Sequence, residues 1–252
     1  MLGLAGSPSR WQWGASGKHP LVKDYFQLGG DLPLMKTFWG WLRRGYDTFA
    51  LREKGASSHY SWRFWSRGMK KDSLVCGLIR DSSDGLGRPY PLLVLGHGTL
   101  KGWEDHWDLL VLACEKTWNH MEYLSRRLFS NLGEFEKEVL RILPPDSDWQ
   151  KFNQEKEILW SSLFSDEKYP LNERIIEEAL LETGGKDSFL IDLNQVPVDD
   201  QFRLVSAYHF FLKRRLKSLP NVVFMGGTPE GAYLAVYHRA LLPEDFARLW
   251  SA

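Results

Sequence analysis

The chain has 252 residues, of which 43% are hydrophobic and 25% charged, and this ordinary globular composition argues against a disordered or fibrous protein. Its 32 basic and 32 acidic residues give a formal net charge of zero, so it lacks the basic excess typical of nucleic-acid-binding domains. Residues 1–10 lack the apolar run of a signal peptide, and no stretch approaches the ~18 apolar residues of a membrane span, so we expect a soluble, cytoplasmic protein.

Two long helical patterns enclose three predicted strands in the first half of the chain. Apolar residues at spacings of three and four predict amphipathic helices over residues 33–54 and 104–130. Between them, Tyr60, Trp62 and Phe64 alternate with polar residues, as in a half-buried strand. Together with two short apolar runs, this pattern predicts strands over residues 58–65, 74–80 and 91–95.

Residues 133–187 differ from the rest of the chain, because they consist of charged, helix-forming segments interrupted by prolines. We predict three short amphipathic helices here, in a helical variable region peripheral to the main sheet. The apolar content of this region is too thin for an independent core. Regular patterns then return and predict a strand over 188–193, a helix over 199–217, strands over 221–225 and 232–238, and a last helix over 243–250.

Strands and helices mixed in this way predict a single α/β domain over residues 11–252, preceded by a short flexible lead over residues 1–10. The expected architecture is a layered sandwich in which helices cover a mixed sheet. The 12 Trp, 14 Phe and 9 Tyr predict an aromatic-rich core, although part of this surplus is available for a partner surface.

Three polar or reactive side chains lie in apolar surroundings and are interpreted as core residues. Cys76 and Cys114 both fall in apolar runs and are expected to be buried thiols. His209 lies within the apolar helix predicted over residues 199–217. We interpret it as a hydrogen-bonded core histidine and not as a catalytic base, because buried polar groups are usually satisfied by hydrogen bonds.

No catalytic, cofactor-binding or metal-binding residue is predicted. The pair Gly17-Lys18 resembles part of a phosphate-binding P-loop, but Gln12 and His19 stand where that motif needs a glycine and a Ser or Thr. The sequence also contains no G-x-S-x-G nucleophile elbow and no H-E-x-x-H zinc motif. These absences favour a binding role over hydrolysis.

A polar loop over residues 81–91, called the signature loop below, lies between two apolar runs. Gly and Pro shape such a loop, and Asp84 and Arg88 are expected to form a pair that braces the turn or contacts a partner. Residues 76–92 resemble the central signature of the TagF (ImpM) family, namely a strand, a Ser-x-Asp-x-x-Gly-Arg turn, an aromatic residue and Pro-Leu. Asp81 stands where that family usually has proline.

Two further pieces in the expected order make the resemblance more specific. Residues 62–64 match as Trp-Arg-Phe, and residues 17–25 contain Gly-Lys-His-Pro followed by Asp-Tyr. The resemblance covers residues 14–130, and the tail over residues 232–246 looks like the family's end. The motif residues, to which we assign structural or partner-binding roles, are Gly17, Lys18, Pro20, Asp24, Trp62, Ser83, Asp84, Gly87, Arg88 and Pro91.

The resemblance implies both a fold and a function. TagF-like proteins are single α/β sandwich domains that act in the cytoplasm as accessory, usually negative, post-translational regulators of bacterial type VI secretion. The implied partners are type VI secretion components, including a forkhead-associated scaffold protein, within a threonine phosphorylation pathway. The resemblance implies neither an enzyme activity nor a cofactor for a chain without a phosphatase extension.

Two alternatives to regulation by protein binding stay open. The chain is an enzyme or a small-molecule or nucleotide-binding domain if a pocket forms around Lys18, Asp84 and Arg88. It is a structural subunit of the secretion apparatus if it co-purifies with the assembled machinery in fixed proportion. Convergence of titratable groups on a concave pocket would favour the enzyme.

Overall fold

A single antiparallel sheet organises the protein. The computed structural model describes residues 11–29, 33–50, 59–165, 177–178, 187–194 and 201–252. In chain order the strands are β1 (Gln12–Gly17), β2 (Phe26–Leu28), β3 (Ser61–Arg67), β4 (Ser73–Arg80), β5 (Leu92–Thr99), β6 (Ser188–Asp192), β7 (Val222–Gly227) and β8 (Ala232–Tyr237). Their spatial order is β2-β1-β5-β4-β3-β7-β8-β6, and all neighbouring pairs are antiparallel.

Helices cover both faces of this sheet. They are α1 (Pro33–Ala50), α2 (Leu110–Arg126), α3 (Leu132–Val139), α4 (Trp149–Ser165), α5 (Gln201–Arg215) and α6 (Pro243–Leu249). Apolar side chains of α1 and α6 share one core cluster with the sheet, whereas those of α2, α3 and α5 share the other. Helix α4 lies outside this second layer, where Phe152 packs with Leu112 of α2 and Phe210 of α5. The predicted layered α/β sandwich is confirmed.

The sheet is antiparallel in all the strands that the structure describes, where a mixed sheet was predicted. Short reversals join β3 to β4 and β7 to β8, and a loop joins β4 to β5. Short reversals can join only antiparallel neighbours, because parallel strands need a long crossover. The turn at residues 68–73 closes with hydrogen bonds from Gly68 N–H to the Ser73 carbonyl and from Ser73 N–H to the Lys70 carbonyl.

Strand β3 shows how side-chain alternation divides the core. Trp62 and Phe64 pack in the α1/α6 layer together with Tyr60, as the sequence predicts, and Trp65 packs in the layer formed by α2 and α5. Eight of the 12 tryptophans are buried, so most of the aromatic surplus belongs to the core. The buried tryptophans are Trp13, Trp41, Trp62, Trp65, Trp103, Trp107, Trp118 and Trp250.

The three predicted core residues are buried as expected. Cys76 and Cys114 are free, buried thiols. Burial is the main cause that raises the pKa of Cys76, and the neighbouring Cys114 thiol raises it further. His209 is fully buried, accepts a hydrogen bond at Nε2 from Trp65 Nε1 (3.1 Å) and contacts the Val205 carbonyl through Nδ1 (2.8 Å). Because a carbonyl can only accept, the proton lies on Nδ1, and the ring is a satisfied core group.

Several predicted boundaries differ from the observed ones. The helix predicted over 104–130 begins as two 3₁₀ turns, Trp103–Asp105 and Trp107–Leu109, and α2 ends at Arg126 because Arg127 is extended. Strands β1 and β2 were not predicted at all. The lead over residues 1–10 and the end of the helix predicted over 33–54 lie outside the described residues.

Residues 133–187 contribute helices in the parts that the structure describes. They supply α4 and nearly all of α3, but no strand within residues 133–165. Phe135 and Val139 of α3 are buried in the core cluster that α2 shares with the sheet. This region therefore extends the main core. In the described residues, no helix is long and apolar enough to cross a membrane.

Candidate functional site

The signature loop and the segment that follows β1 lie side by side at one end of the sheet. Strand β1 pairs with β5, and their last partners are Gly17 and Leu92. The signature loop enters β5 at Leu92, so residues about 70 positions apart in sequence meet here. A hydrogen bond from Gly85 N–H to the Val22 carbonyl (2.7 Å) joins the two segments directly.

Gly17 allows this close approach. Its φ of 120° lies in a region that side chains rarely adopt, and a Cβ at this position would lie 2.1 Å from the Pro91 carbonyl oxygen. Pro91 is itself buried. Any side chain at position 17 must therefore separate the end of β1 from the start of β5.

The Asp84 carboxylate is the centre of the loop. Its Oδ1 accepts hydrogen bonds from the backbone N–H groups of Leu86 and Arg88, both 3.0 Å long. Its Oδ2 lies 2.7 Å from Arg88 Nε and 3.1 Å from Lys18 Nζ. The side chains of Asp84 and Lys18 are 0% and 7% exposed, whereas that of Arg88 is 51% exposed. Arg88 also donates to the Lys23 carbonyl, which ties the loop to the segment after β1.

These partners determine the ionisation of Asp84. Burial alone would raise its pKa, but hydrogen bonds from the Arg88 and Leu86 backbone and from the Lys18 and Arg88 side chains hold the pKa well below its usual value. A carboxylate whose pKa is held well below its usual value is a weak base and stays unprotonated at neutral pH, so it is a poor general base and a poor general acid. The geometry therefore favours a brace over a catalytic pair.

The remaining motif residues divide into two groups. Ser83 pairs with Pro89 across the loop, and Gly87 adopts a left-handed φ of 76° at its tip. Pro20 and Asp24 are exposed on the segment after β1. Trp62 does not join them, because it is fully buried beneath α1 and α6. Its match to the family motif thus reflects packing.

Sequence reasoning missed two exposed side chains beside the loop. Tyr25 is 53% exposed, and its ring lies 4.9 Å from Lys18 Nζ and 4.7 Å from the Tyr90 ring. Leu86 is 64% exposed at the tip of the loop. The aromatic position of the motif could have identified Tyr25, which was not among the assigned residues, but no pattern in the sequence distinguishes an exposed Leu86 from a buried one.

Asp81, the departure from the family pattern, anchors the start of the loop. Its carboxylate accepts hydrogen bonds from Tyr60 N–H (2.8 Å) and from Trp250 Nε1 (2.8 Å). Burial raises the pKa of Asp81, and the bonds from Trp250 and Tyr60 partly oppose this rise. Asp81 therefore connects the signature loop to the last helical turn of the chain.

A separate cleft of about 520 Å³ lies on the α2/α5 face of the sheet. Arg63, Arg80 and Arg126 line it, but Lys18, Asp84 and Arg88 do not. Lys18, Asp84 and Arg88 contact one another at the signature loop, and this cleft is lined by other residues. Within the described part of the chain, no group of three or more His, Cys, Asp or Glu side chains is arranged to hold a metal ion.

Comparison with known proteins identifies the family. A crystal structure of PA0076 from Pseudomonas aeruginosa PAO1 is similar, with 22% sequence identity and a TM-score of 0.42, over 53% of this chain and 64% of that one. The similarity thus spans less than two thirds of the PA0076 chain. No curated protein matches the sequence. The TagF N-terminal domain, described as type VI secretion system-associated, matches residues 14–142. Since this match covers just over half of its residues, the chain belongs to the TagF N-terminal domain family.

Proposed function

We propose that this protein is an accessory, negative post-translational regulator of a bacterial type VI secretion system, and that it acts in the cytoplasm by binding other proteins. Family membership supports the association with type VI secretion. The observation that carries the binding role is the construction of the signature loop, in which a buried ionic centre supports exposed side chains. Secretion components are the proposed partners, with a forkhead-associated scaffold protein foremost among them.

The loop has the physical properties of a preformed binding surface. The Asp84 hydrogen bonds fix its backbone before any partner arrives, which reduces the entropy lost on binding. Tyr25 and Arg88 belong to residue types that are enriched in interface hot spots. Leu86 adds exposed apolar area at the tip of the loop, and burial of this area against a partner would favour binding.

The structure also supports a non-catalytic role for the motif residues. Lys18 and Asp84 are almost inaccessible to solvent, so a substrate could not reach both without opening the loop. We propose no nucleic-acid partner, because the formal net charge is zero.

Affinity purification from the native bacterium tests the proposal. The wild-type protein should recover type VI components, whereas Leu86→Asp should lose them. Truncation of a hot-spot residue lowers affinity about 30-fold, which corresponds to about 2 kcal/mol. Met69→Asp is the matched control, because Met69 is 92% exposed in the turn between β3 and β4, at the opposite end of the sheet. It should bind as wild type does.

Two results would contradict the proposal. If the wild-type protein recovers no type VI component, the proposed regulatory role is wrong. If Leu86→Asp recovers as much of these components as wild type does, the signature loop is not part of the interface. Fixed-proportion co-purification with assembled machinery would identify a structural subunit instead. Negative regulation predicts that deletion of the gene raises type VI secretion. A fall in secretion would instead identify a positive regulator.

A further inference from the structure

The cleft on the α2/α5 face is built from four strands and two helices. Ser61 and Arg63 of β3 and Arg80 of β4 form its floor, and Glu122 and Arg126 of α2 form one wall. Helix α5 supplies the other wall through Phe202 and Val205. Gly227 of β7, the partner of Ser61, also lines the cleft.

Positive charge dominates this cleft. Its described lining contains three arginines but a single carboxylate, that of Glu122. Arg63 Nε lies 2.7 Å from Glu122 Oε1, and Arg126 lies 4.0 Å from Oε2 of the same carboxylate. Arg80 donates a hydrogen bond to Ser125 Oγ (3.1 Å). The Glu122 carboxylate thus pairs with both Arg63 and Arg126, whereas Arg80 bonds to a neutral hydroxyl group.

The environment of Arg80 shows that this charge is imperfectly balanced. Burial, and then the positive charge of Arg126, lower the pKa of Arg80, while Glu122 and Asp81 partly offset the effect. Arg80 and Arg126 both line the cleft, so an anion bound there would relieve the repulsion between their guanidinium groups.

We propose that this cleft binds a small amphipathic anion, whose carboxylate or phosphate contacts Arg80 and Arg126 and whose apolar part packs on Phe202 and Met225. Guanidinium groups bind carboxylates and phosphates through paired, charge-assisted hydrogen bonds. Phe202, Val205 and Met225 add apolar lining to the charged groups. The cleft volume of about 520 Å³ falls within the range of about 300–1,000 Å³ for small-molecule sites. This site is separate from the signature loop.

Isothermal titration with defined probes at low salt tests the site. Phenyl phosphate and benzoate supply the two anionic groups on the same apolar body, and phenol and inorganic phosphate each lack one half of the proposed ligand. We expect saturable 1:1 binding of phenyl phosphate, benzoate or both, with weaker binding of phenol and inorganic phosphate. The tighter of the first two identifies the preferred anionic group.

Variants connect this binding to the cleft. Arg80→Gln and Arg126→Gln should each weaken binding about tenfold or more, as expected for the loss of a charge-assisted hydrogen bond. Phe202→Ala should weaken the binding of phenyl phosphate more than the binding of inorganic phosphate. Arg141→Gln is the matched control, because Arg141 pairs with Glu138 outside the cleft and is 71% exposed. It should leave affinity unchanged.

The proposal is overturned if the folded wild-type protein binds neither organic anion saturably. It is also overturned if Arg126→Gln binds them as tightly as wild type does. The Arg126 side chain is 65% exposed, so this variant should fold even if Arg80→Gln does not.

Discussion

Gly17→Ala is expected to destabilise the whole domain, because Gly17 lies where β1 and the signature loop meet. Two separate penalties apply to this substitution. A non-glycine residue held at a φ of 120° is strained by about 1–3 kcal/mol. The new Cβ also collides with the Pro91 carbonyl oxygen at 2.1 Å, and backbone displacement of this kind adds about 1–3 kcal/mol. Together they predict a loss of about 3 kcal/mol or more in the free energy of unfolding.

Gly87→Ala is the matched control, because Gly87 also has a positive φ but no atoms close enough to clash with a Cβ. At a φ of 76°, a Cβ on Gly87 would meet nothing within 4 Å. Only the backbone penalty of about 1–2 kcal/mol then remains. The comparison separates steric contact from backbone strain within the same motif.

Thermal and urea unfolding followed by circular dichroism measure both variants. For a chain of this size 1 kcal/mol shifts Tm by about 2–4 °C, so Gly17→Ala should lower Tm by about 6–12 °C and Gly87→Ala by about 2–8 °C. If Gly17→Ala is as stable as wild type, or if Gly87→Ala is the more damaging change, the proposed packing of β1 against Pro91 is wrong.

Three further predictions concern buried polar groups. Burial, partly opposed by the bond to the Val205 carbonyl, lowers the pKa of His209 to about 4. Between this value and the usual pKa of histidine, the unfolded chain binds a proton at His209 that the folded chain does not. The free energy of unfolding, measured by urea titration, should therefore fall by about 2 kcal/mol from pH 7 to pH 4.5. This fall should be smaller in His209→Gln. Cys76 and Cys114 should resist a thiol reagent in the native state and both react in denaturant; fast native labelling would contradict their burial. Asp245→Ala removes the buried partner of Arg239, whose side chain is 29% exposed, and should cost about 1.5–3 kcal/mol, as expected for hydrogen bonds to a charged group. The solvent-exposed pair lost in Glu138→Ala contributes at most about 1 kcal/mol, and equal losses in the two variants would contradict this difference.

The sequence predicts elements well where one side-chain period dominates. Strand β3 alternates because one of its faces packs beneath α1 and α6 while Ser61 and Arg63 line a cleft on the other. Helix α2 follows a helical period because one stripe faces the sheet. In both cases the pattern reflects local geometry, which a single sequence records.

Strand β1 was not predicted because four of its six residues are Gly, Ala or Ser and nearly all of its residues are buried. In its sequence, Gln-Trp-Gly-Ala-Ser-Gly, all residues after the first are buried, so no alternation appears. Gly14 instead packs against Met35 of α1, and Gly96 of β5 packs against the Trp13 ring. The strand is specified by its neighbours, and its own propensity is low.

The candidate sites were predictable only where the residues are close in sequence. The Asp84–Arg88 pair spans one turn, so a brace could be proposed from spacing alone. Lys18 reaches the same carboxylate from 66 positions away, through the pairing of β1 with β5. The arginine-lined cleft draws on β3, β4 and α2, so only the fold brings its charges together.

The end of β4 connects the two proposed sites without merging them. Arg80 faces the cleft and bonds to Ser125 of α2, whereas the next residue, Asp81, bonds to Trp250 on the opposite layer. Successive residues of a strand point to opposite faces, so a ligand in the cleft contacts the strand but not the loop anchor. Leu86→Asp should therefore abolish partner binding and leave the affinity for the anion unchanged. Arg126→Gln should weaken anion binding and leave partner binding unchanged. If either variant impairs both activities while its Tm is unchanged, the two sites are coupled through this strand end and are not independent.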